Sequence, residues 1–156
     1  MRKSILHSEK GKSRPEDKDW LDLERLAEVE ITSEDAAHPI EAALTPAGNG
    51  GWRAGEPGKQ SVRLLFDHPL RLRRIQLLFE EEERPRHQEF VLRWSADGES
   101  YREIVRQQYR FSPPGTSREE EEYRVDLDHV RALELVIVPE TGGGEARATL
   151  QRLRLA

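Results

Sequence analysis

The segment from residue 89 to residue 101 constrains the fold more than any other part of this chain. It reads Glu-Phe-Val-Leu-Arg-Trp-Ser-Ala-Asp-Gly-Glu-Ser-Tyr, with apolar and polar residues alternating up to Asp97-Gly98 and an aromatic residue, Tyr101, after the break. Alternation with a period of two is typical of a strand with one buried face, and Asp-Gly supplies the positive φ that a tight turn requires. The segment therefore predicts a β-hairpin.

The same alternation recurs before and after this hairpin. It predicts further strands around Val29–Ile31 and residues 62–66, 75–79, 101–104, 123–127, 133–137 and 150–155. Brief turns are predicted near residues 67–71 and 128–131, and the spacing between Leu150 and Leu153 predicts a one-residue bulge. Together these features predict an all-β fold, a β-sandwich of about eight antiparallel strands.

Length and composition predict how the chain is divided. A chain of 156 residues has room for one good hydrophobic core. Residues 1–19 lack periodicity and are rich in charged residues and serine, so we expect a disordered tail followed by a single domain over residues 20–156. Trp20 to Leu26 could form a short amphipathic turn or an extended lead-in.

The charge balance and the absence of cysteine narrow the classes of partner. The net charge is −5, which gives no general attraction to nucleic acid or anionic lipid, so we expect neither nucleic acid nor membrane as a partner. Without cysteine, disulfide and thiolate chemistry are excluded. The apolar stretch near the start ends at Leu6, too short for a secretion signal, so a cytoplasmic location is the expectation.

The lengths of the predicted connections indicate where a binding surface lies. In an antiparallel array, successive connections alternate between the two ends of the sandwich. The long connections, residues 34–60, 80–88, 107–121 and 140–146, alternate with the tight ones and so share one end. Because recognition residues concentrate in loops on a rigid scaffold, this end is the candidate binding surface, although long loops can also simply cap a sandwich.

Several motifs, taken in order, resemble one known family. They are Val29-Glu30-Ile31-Thr32-Ser33-Glu34-Asp35, His38-Pro39-Ile40-Glu41-Ala42-Ala43-Leu44, Gly51-Trp52-Arg53, Leu92-Arg93-Trp94-Ser95-Ala96-Asp97-Gly98 with Tyr101, and Ala148-Thr149-Leu150-Gln151-Arg152-Leu153. In this order and spacing the chain, from about residue 28 to its C-terminus, resembles the discoidin, or coagulation factor 5/8 C-type, branch of the galactose-binding-domain-like superfamily. The resemblance implies a jelly-roll β-sandwich that binds sugars, lipid headgroups or proteins through loops at one end and has no catalytic activity.

The chain departs from the family at a structural calcium site. Many members carry acidic residues at the positions that here resemble Thr45 and Arg152. Calcium needs several oxygen ligands, and a guanidinium removes one ligand and repels the ion, so we expect no metal there. Arg152 either replaces the ion by donating hydrogen bonds to loop carbonyls or simply faces outward.

Candidate ligand-binding residues lie in the first two long loops. They are Asn49, Trp52, Arg53, Arg84, Arg86 and His87. Trp52 could stack on a sugar ring, or it could pack inward and anchor its glycine-rich loop. The glutamate runs 80–83 and 119–122 fall at the same end, which favours a cationic or polyhydroxylated ligand.

No motif for catalysis or for a cofactor is present. The triple glycine at residues 142–144 lacks the lysine and helix of a phosphate-binding loop, the histidines lack zinc-ligand spacing, and the glutamate runs look too exposed to have raised pKa values. The sequence thus predicts a noncatalytic module that binds carbohydrate. The alternative is a cytoplasmic protein–protein interaction or assembly domain, and the oligomeric state stays open.

Overall fold

The structure is a computed structural model that describes residues 20–46 and 50–156. The predicted tail, residues 1–19, and the candidate residue Asn49 lie outside the described residues. The described part contains two short helices, α1 (Leu23–Leu26) and α2 (Glu41–Leu44), and eight strands: β1 (Ala27–Ile31), β2 (Trp52–Pro57), β3 (Gln60–Glu80), β4 (Arg86–Ser95), β5 (Arg102–Phe111), β6 (Arg118–Val138), β7 (Arg147–Leu150) and β8 (Arg152–Leu155). Neither described helix is long and apolar enough to cross a membrane.

The strands form an antiparallel β-sandwich, which confirms the predicted fold class. One layer has the strand order β1-β3-β6-β4-β5. β8 pairs with the last part of β3, from Ile75 to Leu78, and β2 and β7 form a separate two-stranded ribbon. Each pairing is antiparallel.

The two long strands correct the predicted boundaries. Residues 67–71 and 128–131 are not turns between separate strands, because β3 and β6 each continue through them over 21 residues. The β3–β6 register is regular up to Leu65, shifts repeatedly before Arg74, and is regular again beyond it. We call the irregular stretch between these two regular parts the corner. β3 pairs with β1 before the corner and with β8 after it, so this one strand belongs to both layers.

A single hydrophobic core fills the space between the layers. Alternate residues of each strand point inward, as the period of two predicts, and the largest fully buried side chains come from both sides of the corner. They include Leu64, Ile75, Phe79, Leu92, Leu135 and Ile137. The amphipathic turn is α1, which buries Leu23, while the Trp20 ring lies 4.4 Å from the Arg74 guanidinium.

The hairpin predicted from residues 89–101 is present as β4 and β5. Its connection covers residues 96–101 and is longer than a two-residue turn. Asp97 accepts hydrogen bonds from the N–H groups of Ser100 and Glu99, at 2.9 and 2.8 Å, and these bonds lower its pKa to about 2. Gly98 supplies the positive φ, +81°.

The long connections meet at one rim of the sandwich, as the loop lengths predict. The Glu81 N–H donates to Ser117 O, which joins the β3–β4 and β5–β6 connections, and the Thr141 N–H donates to His87 O. The connection predicted over residues 107–121 covers only residues 112–117, because β5 continues to Phe111 and β6 begins at Arg118. Two further boundaries were wrong. The stretch predicted as a loop over residues 34–60 contains α2 and β2, and the predicted irregularity near Leu150 is a break at Gln151 between β7 and β8.

A buried guanidinium ties this rim together. Arg86 is 2% exposed, and its Nε donates to Glu81 Oε1 at 2.5 Å. Its Nη1 donates to Gln88 Oε1 at 2.8 Å and to Pro139 O at 2.9 Å, and the group lies 4.7 Å from the centre of the Phe111 ring. A buried charge is tolerated when it is paired and its hydrogen bonds are made. This residue therefore joins the β3–β4 and β6–β7 connections at the rim.

A buried carboxyl lies beside this guanidinium. Glu119 is 1% exposed, and its Oε1 accepts a 3.4 Å hydrogen bond from Gln88 Nε2. Burial and the neighbouring carboxyl of Glu121 raise its pKa to about 8, against the smaller opposing effects of Gln88 and Arg86. The expectation that the glutamate runs are too exposed for raised pKa values is therefore wrong for Glu119, since alternate residues of β6 point inward.

Replacing Arg86 tests its role in holding the rim. Arg86→Met keeps much of the side-chain volume but leaves Glu81 as an unpaired, largely buried carboxylate, so the free energy of unfolding should fall by about 3 to 5 kcal/mol. Urea unfolding measures the change. Arg84→Met, at an exposed position nearby, should stay within about 0.5 kcal/mol of the unmodified chain. Equal unfolding free energies for the two variants would contradict this role.

The pH dependence of stability tests the environment of Glu119. Between its ordinary pKa of 4.5 and a native pKa of about 8, the native state holds a proton that the unfolded chain releases, so stability should fall as pH rises. Glu119→Gln should be more stable than the unmodified chain at pH 9 and closer to it at pH 5, by urea unfolding. The exposed neighbour provides a control, because Glu120→Gln should leave the pH profile unchanged. A pH profile of stability for Glu119→Gln that runs parallel to that of the unmodified chain would refute the raised pKa of Glu119.

Candidate binding groove

A groove of about 450 Å³ lies at the rim where the long connections meet. Three of those connections and the β2–β7 ribbon line it, and we call it the rim groove. The lining residues are His38, Gly50, Arg53, Glu80, Glu81, Glu82, Glu83, Arg84, Glu145, Ala146, Arg147, Thr149 and Gln151. The end of the sandwich at which the long connections were predicted to meet therefore carries this groove.

The β2–β7 ribbon places polar side chains on the groove side. Along both strands buried residues alternate with half-exposed ones, so Arg53, Arg147 and Thr149 share the face away from the core. Arg53 and Thr149 are partners in the pairing register. The Arg53 backbone is held on both sides, since its N–H donates to His38 O at 3.1 Å and its carbonyl accepts from the Asp35 N–H at 2.8 Å.

Trp52 anchors this ribbon from behind. The residue is 1% exposed, and its indole Nε1 donates to Ser33 O at 3.1 Å. The inward packing that we considered for Trp52 is thus the observed one, and its ring presents no face to the groove. Gly51 allows the approach, because its φ is +70° and a Cβ there would lie 2.7 Å from Leu150 O.

The wall formed by the β3–β4 connection is organised around Glu81. Its Oε2 accepts hydrogen bonds from the N–H groups of Glu83 and Arg84, at 2.9 and 3.2 Å, while Oε1 accepts from Arg86. Burial alone would raise the pKa of Glu81, but these hydrogen bonds outweigh it and lower the pKa. The carboxylate stays ionised and fixes the turn that presents Arg84 to the groove.

The charges that remain available in the groove are balanced. Glu80 pairs with Arg118 at 3.3 Å, and Glu81 pairs with Arg86. Three guanidinium groups and three carboxylates of the lining form no ion pair with another described residue. They are Arg53, Arg84, Arg147, Glu82, Glu83 and Glu145. The lining contains no Trp, Tyr or Phe ring, so the described part of the groove offers hydrogen bonds and charge but no such stacking platform.

The structure brings only some of the predicted ligand-binding residues into the groove. Arg53 and Arg84 line it, whereas Trp52 and Arg86 are buried behind it. His87 does not line it, and its backbone N–H donates to Glu140 Oε2 at 2.8 Å. Asn49 lies outside the described residues.

Among the described residues, Arg152 makes none of the hydrogen bonds expected if it replaced calcium. It is half-buried on β8, its Nε has no hydrogen-bond partner in the structure, and it donates to no loop carbonyl within the described residues. Arg86 makes such a bond instead, to Pro139 O. Within residues 20–46 and 50–156, no group of three or more His, Asp or Glu side chains is placed to hold a metal ion.

Sequence reasoning missed several groove residues. Arg147, Thr149 and Gln151 were not candidates because residues 150–155 were treated as one strand, which hid the ribbon of β2 and β7. The alternation of Arg147, Ala148, Thr149 and Leu150 was a usable signal. Both polar members share the face that the groove occupies.

Comparisons with known proteins find that the chain is similar in structure to solved proteins. No family model matches the sequence, and no curated protein matches it either. A family 32 carbohydrate-binding module from a family 31 glycoside hydrolase of Clostridium perfringens matches with a TM-score of 0.65 and 16% identity, covering 92% of this chain and 97% of that one. The C-terminal domain of a chitobiase from Bacteroides fragilis matches with a TM-score of 0.63 and 17% identity, covering 88% and 97%.

A third similar structure contains a bound sugar. It is the family 32 carbohydrate-binding module of NanJ from C. perfringens in complex with galactose, which matches with a TM-score of 0.60 and 11% identity, covering 87% of this chain and 96% of that one. Family 32 modules belong to the galactose-binding-domain-like superfamily. The chain therefore has the β-sandwich fold of these modules, which is the fold that the resemblance of its motifs implies.

Proposed function

We propose that this protein is a noncatalytic carbohydrate-binding module that holds a polyhydroxylated ligand in the rim groove. The observation that carries the proposal is the chemistry of this groove, which is lined at the long-loop rim by guanidinium groups and carboxylates that form no ion pair with another described residue. The fold supports it, because solved structures with the same fold are described as carbohydrate-binding modules.

The balance of free charges suits a neutral polyol. A carboxylate accepts hydrogen bonds from adjacent hydroxyl groups, and a guanidinium donates to hydroxyl oxygens. With three free groups of each sign, the lining matches donors and acceptors without selecting for a strongly charged ligand. This refines the expectation of an acidic rim, since Glu80 and Glu81 are paired within the protein.

The lowered pKa of Glu81 supports binding without catalysis at this wall of the groove. A general acid needs a carboxyl with a raised pKa within reach of the ligand. Glu81 lines the groove and has a lowered pKa, whereas Glu119 has a raised pKa but is not among the lining residues. The groove therefore presents hydrogen-bonding groups and fixed charges.

Thermal-shift measurements over a panel of neutral mono- and disaccharides test the proposal. A sugar that binds only the native state raises the unfolding midpoint by mass action, with about 2.7 kcal/mol of stabilisation at a hundred times its Kd. Arg53→Ala should lower the affinity for that sugar at least about tenfold, since it removes from the groove lining a guanidinium that forms no ion pair with another described residue.

The matched control is Arg131→Ala, which removes an exposed arginine that does not line the rim groove. It should bind the sugar like the unmodified chain. Calorimetric titration of the three proteins gives the affinities, and circular dichroism verifies that each variant is folded. A panel without any stabilising sugar, or equal affinities for Arg53→Ala and the unmodified chain, would overturn the proposal.

A further inference from the structure

Strand β1 forms one edge of the larger sheet. It pairs with β3 on one side, from Ala27 opposite Phe66 to Ile31 opposite Val62, and it is the outermost strand at one end of the strand order. No described strand pairs with its other side. An unpaired edge is a template for another extended chain.

The orientation of the β1 peptide groups follows from its pairing. The Thr32 N–H donates to Ser61 O at 3.2 Å, which continues the register of Glu30 opposite Arg63 and Glu28 opposite Leu65. Because hydrogen bonding alternates along an antiparallel strand, the even-numbered residues bond to β3. The N–H and C=O groups of Val29 and Ile31 therefore point to the free edge.

A second groove, of about 410 Å³, runs along this edge, and we call it the edge groove. It is lined by six apolar residues, three carboxylates and one threonine. They are Leu23, Ala27, Val29, Ile31, Ile40, Leu44, Glu24, Glu34, Glu41 and Thr45. Its charged lining residues are all acidic, unlike those of the rim groove. The other face of β1 also carries exposed carboxylates, Glu28 and Glu30, and that of Glu30 lies 3.6 Å from the Arg63 guanidinium.

These charges disfavour a second copy of this chain at the edge. Antiparallel pairing of two β1 strands centred on Val29 would place Glu28 of each copy opposite Glu30 of the other. Like charges directly opposite each other across two strands are destabilising. A strand that carries basic residues at those positions would instead form opposite-charge pairs.

The centre of the outer face of the same sheet is less suited to a partner, because the charges of β3, β6 and β4 are already paired with one another there. Glu134 is 4% exposed and accepts hydrogen bonds from Arg63 at 2.7 Å and Arg93 at 2.8 Å, across three neighbouring strands. The Tyr101 ring lies 5.2 Å from each of the two guanidinium groups. The free edge of β1, by contrast, keeps unpaired backbone groups.

We propose that β1 and the edge groove dock an extended segment of a partner protein in which basic residues alternate with apolar ones. The added strand places its apolar residues beside Val29 and Ile31, above the edge groove, and its basic residues beside Glu28 and Glu30. Main-chain hydrogen bonds to the odd-numbered residues supply affinity, and the carboxylates select the partner. This surface is separate from the rim groove, so the proposal does not rest on carbohydrate binding.

A labelled peptide, acetyl-Lys-Val-Lys-Val-Lys-Val-Lys-amide, tests the proposal by fluorescence anisotropy against the full chain. It should bind the unmodified protein, and a peptide with glutamate in place of lysine should not. A peptide of the same composition with the alternation removed should bind at least about tenfold more weakly, which separates strand pairing from charge alone.

Val29→Pro is the sharpest variant. Proline lacks an N–H and is tolerated where that group faces away from the neighbouring strand, so the β1–β3 hydrogen bonds of Glu28 and Glu30 remain. The variant should keep its unfolding midpoint within a few degrees and lose at least about tenfold in peptide affinity. Should Val29→Pro unfold, the double variant Glu28→Lys/Glu30→Lys reverses the charge at the two exposed positions that lie beside the basic residues of the added strand, and it should weaken binding similarly.

Three results would overturn the proposal. The first is no binding of the alternating peptide, and the second is equal affinity for the unmodified protein and for both the proline and lysine variants. The third is a concentration-dependent dimer in sedimentation that Val29→Pro abolishes, because it would assign the edge to a second copy of the chain. A shift of β1 amide resonances on peptide addition would support the docking site directly.

Discussion

The pairing of β3 with β6 connects the two layers of the sandwich. Gln60 lies opposite Ile137 at one end of this pair and Glu80 lies opposite Arg118 at the other, while the corner between them carries the fully buried Leu72 and Val130. Because each strand turns back at its corner, both of its ends return to the same rim. The connections before and after β3 and β6 must therefore emerge together, and the rim groove is a consequence of this one pairing.

This geometry explains which parts of the fold the sequence could predict. Alternation of apolar residues identifies inward faces, and it does so on both sides of each corner. The segment Asp67-His68-Pro69 has the composition of a turn, so the corner was read as a reversal between two strands. A bend within one strand and a turn between two strands both bring the chain back to the same rim. The long connections were therefore predicted at the correct rim. β2 escaped notice because Gly55 and Pro57 are unfavourable in strands.

The candidate site was harder to predict, because its geometry depends on distant parts of the chain. Arg84 and Arg86 stand two residues apart in a charged run, yet one is exposed in the groove and the other is buried. The difference arises from partners such as Pro139 and Thr149, more than fifty residues away. Spacing in sequence can suggest that two arginines share a loop, but burial is decided by what packs over them.

The rim groove must obtain its affinity in a particular way, since no Trp, Tyr or Phe ring lines its described part. Hydrogen bonds to a sugar replace bonds to water, and each contributes only about 0.5 to 1.5 kcal/mol net, or about 1.5 to 3 where one partner is charged. Such small terms add up only if the protein groups are already ordered, because ordering a flexible side chain or loop on binding costs a comparable amount. The backbone bonds that fix Arg53 and the buried Arg86 that fixes the wall therefore contribute to recognition without Arg86 touching the ligand. A module of this kind gains affinity from the rigidity of its rim as much as from the groups that line it.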